Sequence, residues 1–154
     1  MNAQTKVVIR PPVTPDEFAE YYDLRYRVLR KPFGYEPDSA RDEYDDMVCL
    51  QLAAFMYQSI VGVARLHRDP DGMFVVRWVA VDPNQRHRHV GSLLLQALED
   101  EARCLGAKQI ELVARNNALG FYAKLGYNEM GIASPVRNVA GKPVMEQTKM
   151  SKTL

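Results

Sequence analysis

The chain has 154 residues, 47% of them hydrophobic and 25% charged, with a formal net charge of +1. That is the length of one domain able to bury a real core, and the composition is that of an ordinary soluble protein. The near-neutral balance offers no global field for nucleic acid or a membrane surface. No stretch nears the roughly 18 apolar residues of a membrane span, and residues 1–5 lack the apolar core of a signal peptide. The expectation is a single domain over residues 1–154 in the cytoplasm. Cys49 and Cys104 are then reduced thiols, one in a strand and one in a helix.

Residues 6–10 are a short β-branched run and read as a first strand. Thr14-Pro15-Asp16-Glu17 is a capping box with proline at the first helical position. Phe18, Tyr21, Tyr22, Arg25, Val28 and Leu29 follow at helical spacing, which predicts a helix from Pro15 to Arg30. Residues 31–37 break it. Residues 36–46 are acidic, with Glu36, Asp38, Asp42, Glu43, Asp45 and Asp46 against Arg41. Residues 47–57, 60–67 and 73–81 read as three strands of an antiparallel meander. Gln58-Ser59 joins the first two, and Asp69-Pro70-Asp71-Gly72, a type I turn sequence, joins the last two. After Gly91 a helix carries Leu94, Leu98, Ala102 and Leu105 on one stripe, with Gly106 as its C-cap. Residues 109–113 form a strand, 117–125 a short helix closed by Gly126, and 127–134 and 143–150 two final strands. The unit at 74–113 has room for a right-handed parallel crossover. The fold class is therefore α/β of the α+β type: a mixed, mostly antiparallel sheet of six to seven strands flanked by about four helices.

The richest stretch is Val79-Ala80-Val81-Asp82-Pro83-Asn84-Gln85-Arg86-His87-Arg88-His89-Val90-Gly91-Ser92. An apolar strand stops at Pro83, a basic turn follows, and a helix opens. The first turn of a helix has N–H groups without intrahelical partners and carries the positive end of the macrodipole. With Arg86 and Arg88 added, the stretch reads as a cradle for a pyrophosphate.

These residues resemble a known signature. Arg86-His87-Arg88-His89-Val90-Gly91-Ser92-Leu93-Leu94, behind Val79-Ala80-Val81-Asp82-Pro83, resembles the acetyl-CoA signature of the GNAT N-acetyltransferase superfamily. Asn117-Ala118-Leu119-Gly120-Phe121-Tyr122-Ala123-Lys124-Leu125-Gly126-Tyr127 resembles its second signature, in which a Tyr precedes a short-helix stop. Either motif alone is weak. In order, one helix and one strand apart, and with the element order agreeing over residues 6–150, they are specific. His89 departs from the pattern: the family has a glycine there, which lets the backbone approach the phosphates. Gly91, the second glycine, is kept.

The resemblance implies acetyl-CoA as cosubstrate, no metal, and transfer of an acetyl group to a primary amine by direct attack, without a covalent acyl-enzyme. The alternative is a non-catalytic acyl-CoA-binding sensor or interaction module with the same fold. The main chain of the segment Val79, Ala80, Val81 is implied to pair with the pantetheine arm through Val79 and Val81, which requires the sheet to splay beyond Val81. An N–H at Val81 is implied to polarise the thioester carbonyl. The N–H groups of His87, Arg88, His89, Val90, Gly91 and Ser92 are implied to hold the pyrophosphate, and Asn117 to bond to pantetheine. Tyr122 is implied to be the general acid that protonates the CoA thiolate.

Each of these residues also has a plain structural reading: Val79 and Val81 as core valines, Tyr122 as a packed aromatic, Asn116 or Asn117 as a helix N-cap. No general base stands out. Histone-type relatives carry a Glu where this chain has Val75, which cannot act as a base. His67, Glu111 and the acidic segment are the candidates, and His67 also reads as a strand-end surface residue. Residues 36–46 fall where the family shapes its acceptor pocket, so they either attract a cationic amine or form a solvated loop. The expected partner is a small-molecule or peptide amine, and the resemblance is compatible with a homodimer. His87 and His89 lack further ligands for a metal, and Arg86 with Arg88 is too local a cluster for nucleic acid.

Overall fold

The structure is a computed structural model and describes residues 6–86 and 89–154. Its elements are β1 (Val8–Arg10), α1 (Pro15–Leu29), β2 (Cys49–Met56), β3 (Ser59–Arg68), β4 (Phe74–Val81), α2 (Val90–Cys104), β5 (Gln109–Arg115), α3 (Leu119–Lys124), β6 (Asn128–Arg137) and β7 (Pro143–Thr153). The strands form one seven-stranded sheet in the order β1-β2-β3-β4-β5-β7-β6. Among the described residues only β4 and β5 pair in parallel, joined by α2, so the mixed sheet and the crossover at 74–113 are as predicted. Of the four helices expected, three are α-helices among the described residues. The remaining helical segments are short 3₁₀ turns, two of them within 37–46. No helix among the described residues is long and apolar enough to cross a membrane.

Local chemistry starts α1 as the capping box dictates. Glu17 N–H donates to Thr14 Oγ1 at 3.1 Å, and Glu17 Oε1 accepts from Thr14 N–H at 3.4 Å. Arg10 pairs with Glu17 at 2.7 Å and ties β1 to the helix. The β2–β3 hairpin turns at Tyr57-Gln58, one residue earlier than predicted. Both residues take positive φ (50° and 67°), the hand that matches strand twist.

The core has one cluster on each face of the sheet. On the α2 side, Leu94, Leu95, Leu98 and Ala102 pack on Leu52, Ala64, Leu66, Val76, Ile110 and Leu112. On the α1 side, Tyr21 and Leu24 pack on Ala53, Phe55, Val63 and Ala80. The predicted stripe of α2 is corrected at its end: Leu105 is 58% exposed, while Leu95 is fully buried. The helix stops at Cys104, Gly106 turns with φ +87°, and Ala107 N–H donates back to Ala102 O at 2.9 Å. This C-cap reverses the chain before Leu105 can reach the core.

The irregularity that matters for function is in β4. Trp78 takes φ +59°, and the β3–β4 register shifts between Val63 and Arg65. That is a β-bulge, which adds local twist. Phe74 and Val76 lie in the α2-side cluster before it. After it, Ala80 lies in the α1-side cluster, and Val79 and Val81 pack on the α2-side cluster. The last parallel pair of β4 with β5 is Val76–Leu112, although β5 continues to Arg115. The strands therefore splay from Arg77 onward. The sequence reading put this opening beyond Val81; the bulge opens it earlier and leaves a wedge between β4 and β5.

Candidate active site

The wedge exposes backbone on its β4 side. Asp82 N–H donates to Val61 O of β3 at 2.8 Å, so this end of the chain faces β3 at Asp82. Main-chain groups alternate direction along a strand. Val81 and Val79 thus turn their N–H and C=O toward the wedge, while their side chains pack on the α2-side core. Ala80 between them pairs with Val63 and buries its side chain on the α1 side. Its main chain faces β3 and not the wedge.

At the end of β4 the chain passes into α2. His89 is the N-cap, with φ 57° and ψ 23°. It adopts the left-handed backbone a glycine would take, at a cost of roughly 1–2 kcal/mol for a residue with a Cβ. Its side chain caps nothing, and Leu93 N–H donates to His89 O at 3.0 Å as the first bond of the helix. The N–H groups of Val90, Gly91 and Ser92 have no acceptor within the helix. Gly91 has a second reason to be glycine: a Cβ there would stand 2.9 Å from Phe121 Cζ, so its absence seats α2 against α3. His87 and Arg88 lie outside the described residues.

Phe121 leads directly to Tyr122, which is 7% exposed and sits edge-on to Phe121 (4.9 Å) and Tyr127 (5.8 Å). Burial raises its pKa, only partly opposed by the nearby Arg115 charge, so the phenol stays protonated. Tyr127 is itself anchored: its hydroxyl donates to Glu99 Oε2 at 2.9 Å, and Lys152 donates to Glu99 Oε1 at 2.7 Å. The chain reaches α3 differently from the sequence reading. The helix starts at Leu119 with Ala118 as N-cap, so neither asparagine caps it. Asn116 instead accepts from Thr148 (2.9 Å) and donates to Glu146 (3.3 Å), tying the turn to β7, and Asn117 is exposed.

On the α1 side lies a buried ion network. Arg25 and Arg65 are fully buried. Arg25 donates to Asp45 at 2.9 and 3.0 Å and to Ala40 O at 3.1 Å. Arg65 donates to Asp42 through both terminal nitrogens and to Asp45 at 3.1 Å. Trp78 Nε1 donates to Asp42 Oδ2 at 3.0 Å, and Gln51 to Asp45 at 2.8 Å. Burial alone would raise the Asp42 carboxyl, but hydrogen bonds from Arg65 and Trp78 outweigh it and bring the pKa to about 2. The acidic segment is thus neither a free attractor of cations nor a wholly solvated loop. Asp42 and Asp45 pin it to the sheet, while Glu36, Asp38, Glu43 and Asp46 face solvent. Sequence reasoning missed this network, although a signal existed. Arg25 stands on the buried stripe of α1 and Arg65 inside an apolar strand, and buried guanidiniums demand carboxylates.

The base candidates separate accordingly. His67 is buried, not a surface residue as read from sequence. It stacks on Tyr44 at 4.1 Å, and its Nδ1 lies 3.2 Å from Arg65. Burial first, then the Arg65 charge, push its pKa down to about 4. Glu111 is different. It stands beside Val75 in the β4–β5 ladder, is 19% exposed, and pairs with Lys149 at 3.2 Å. No three His, Cys, Asp or Glu side chains among the described residues are grouped to hold a metal ion.

The sequence profile of the acetyltransferase (GNAT) family matches residues 16–127. The uncharacterized N-acetyltransferase YitI of Bacillus subtilis (strain 168) is 26% identical over 139 residues, covering 82% of this chain and 89% of that one. An aminoglycoside 6'-N-acetyltransferase solved in complex with coenzyme A shares the fold with a TM-score of 0.75, at 20% identity over 96% of both chains. The ribosomal-protein-S18-alanine N-acetyltransferase of Escherichia coli shares it with a TM-score of 0.73, at 20% identity over 96% of this chain and 94% of that one. With the bulged β4, the wedge and the uncapped α2 terminus in place, the profile match establishes that this chain belongs to the GNAT acetyltransferase family.

Proposed function

We propose that this protein moves an acetyl group from acetyl-CoA to a primary amine by direct attack of the amine, with no covalent acyl-enzyme. The observation that carries the reading is the wedge: outward-facing main chain at Val79 and Val81 that runs into the free N–H groups of Val90, Gly91 and Ser92. When bound, acetyl-CoA supplies the activated acetyl thioester. Val79 and Val81 receive the pantetheine arm as a sheet edge receives an added strand, and Asn117, exposed before α3, is available to its amides. The α2 N-terminus, with His87, Arg88 and His89 before it, holds the pyrophosphate. Tyr122, kept neutral by burial, donates its proton to the departing thiolate.

The binding half of the proposal is tested by calorimetric titration with acetyl-CoA. Saturable binding is expected, weakened by Gly91→Glu, which drives a Cβ into Phe121 and a carboxylate into the phosphate site. Ser92→Glu adds the same charge without the steric change and should weaken binding too. Absence of heat and of any thermal shift at millimolar acetyl-CoA overturns the reading. Steady release of free CoA with any amine excludes the non-catalytic alternative.

Glu111 is our choice of general base, acting through water. His67 is occupied by Arg65 and is weakly basic, and Asp42 and Asp45 are held by Arg25 and Arg65. Glu111 is the neighbour of Val75 on the adjacent strand, so its carboxylate replaces the missing one from the side. Glu111→Gln should lower kcat by on the order of 10²-fold and leave the Kd for acetyl-CoA unchanged. A wild-type rate in that variant removes Glu111 from the mechanism.

A further inference from the structure

At the α1 side of the wedge, guanidinium groups outnumber the carboxylates that answer them. Arg77 is the first residue of β4 past its last pair with β5, and its side chain is 57% exposed. Arg115 is the last residue of β5. It reaches across to donate to Leu29 O at the end of α1 at 2.8 Å, and stacks on Phe33 at 5.1 Å. Arg30 follows α1 directly, lies 3.6 Å over the Tyr35 ring and donates to Ser39 Oγ at 3.1 Å. Three arginines thus come from three elements to one opening.

Their neighbours answer them only in part. Asp42 lies 3.6 Å from Arg77, but it already binds Arg65 and Trp78. Asp45 is shared by Arg25 and Arg65. Among the described residues no carboxylate stands within ion-pair distance of Arg30 or Arg115, and the charge that Arg115 feels most is Arg30. On Arg77 burial acts first and the pull of Asp42 second, with Arg65, Arg30 and Arg25 pushing the other way. The acceptor side of the wedge therefore carries positive charge, the reverse of what six acidic residues in 36–46 suggest from sequence. Each guanidinium has five N–H donors in a planar fork suited to a carboxylate, and the contacts described use one each on Arg30 and Arg115.

We propose that Arg30, Arg77 and Arg115 hold a carboxylate of the acceptor, so that the substrate is a small amine bearing a carboxylate, of the amino-acid class. This rests on the acetyl-transfer reading and names its substrate. The carboxylate sits among the three guanidiniums at the mouth, and the amine is directed along β4 past the Trp78 bulge. The cosubstrate's phosphates go to the start of α2, which belongs to a different part of the chain, so the two anion sites are separable by mutation.

The test uses products, because they bind without turning over. The CoA-loaded protein is titrated with N-acetyl amino acids, each against its own carboxamide, and binding is followed by ligand-observed NMR. For at least one side chain the acid should bind about 10- to 100-fold more tightly than the amide, the worth of a charge-assisted hydrogen bond. Arg77→Gln and Arg115→Gln should each remove most of that preference while acetyl-CoA affinity and melting temperature hold. Equal binding of acid and amide across the panel overturns the proposal. So does a preference that survives both substitutions, or a loss confined to acetyl-CoA affinity. A parallel assay of CoA release from the matching free amino acids tests the transfer reading separately. Binding preference without any turnover refutes catalysis and leaves the carboxylate site standing.

Discussion

Tyr122→Phe is expected to lower kcat by about 10²–10⁴-fold, the range of a general acid, with acetyl-CoA affinity nearly unchanged. The substitution removes one oxygen and keeps the ring that packs edge-on against Phe121 and Tyr127. The fold and the seat of α3 on Gly91 stay as they are, so a kcat effect without a binding effect isolates the proton. A thiolate leaving group needs a donor that is still protonated at working pH, and burial keeps this phenol so. Single-turnover measurements must show that chemistry limits the rate. If it does and the Phe variant keeps wild-type turnover, Tyr122 has no part in the reaction.

The largest stability effect should come from Asp45→Asn. The Asp45 side chain is 2% exposed and lies between Arg25 and Arg65, both fully buried. Removing its charge leaves Arg25 with no carboxylate partner and Arg65 with Asp42 alone. Breaking a buried pair in this way costs about 3–5 kcal/mol. For a chain of this size that corresponds to a fall in Tm of roughly 6–20 °C. Asp46→Asn, one residue away and exposed, should shift stability by less than about 0.5 kcal/mol. The pH dependence has a definite sign. Asp42 and Asp45 both have folded pKa values below the ordinary range, Asp42 at about 2. Their contribution is complete above the unfolded value near 3.8 and is lost as pH falls below it, for Asp42 down through about 2. Denaturant unfolding at stepped pH values checks both points. A loss under about 1 kcal/mol in Asp45→Asn would mean that the network is not a stabilising unit.

The elements that were legible in the sequence owe it to local signals. The Thr14–Glu17 box, the 3.6-residue stripe of α2 and the turn glycines at 106 and 126 each act within a few residues, and each stands where it was read. The end of β4 and the start of α2 were legible for the same reason, since they lie close together along the chain. What was not legible depends on distance or on an unmarked exception. The bulge at Trp78 has no glycine to announce it: the positive φ falls on a tryptophan whose indole bonds to Asp42. The opening of the wedge was therefore put several residues too late. The ion network joins positions 25, 42, 45 and 65, and the cationic mouth joins 30, 77 and 115. No window along the chain contains either set, so charges that look free in sequence turn out to be taken, and scattered ones turn out to be neighbours.

The early parting of β4 from β5 places an unzipped sheet edge inside the protein instead of at its rim. An ordinary edge is a liability, since any extended chain can add to it. Here β5 stands across the gap, with β7 paired behind it. Under the proposed reading, a thin, extended arm that carries its own amides lies along Val79 and Val81. The bulge would then make the backbone itself a selector that reads polymer-like spacing in a ligand, with no side chain involved. Closing the gap would add ladder bonds and steady the sheet, so this fold holds back some of its own stability to keep the slot open.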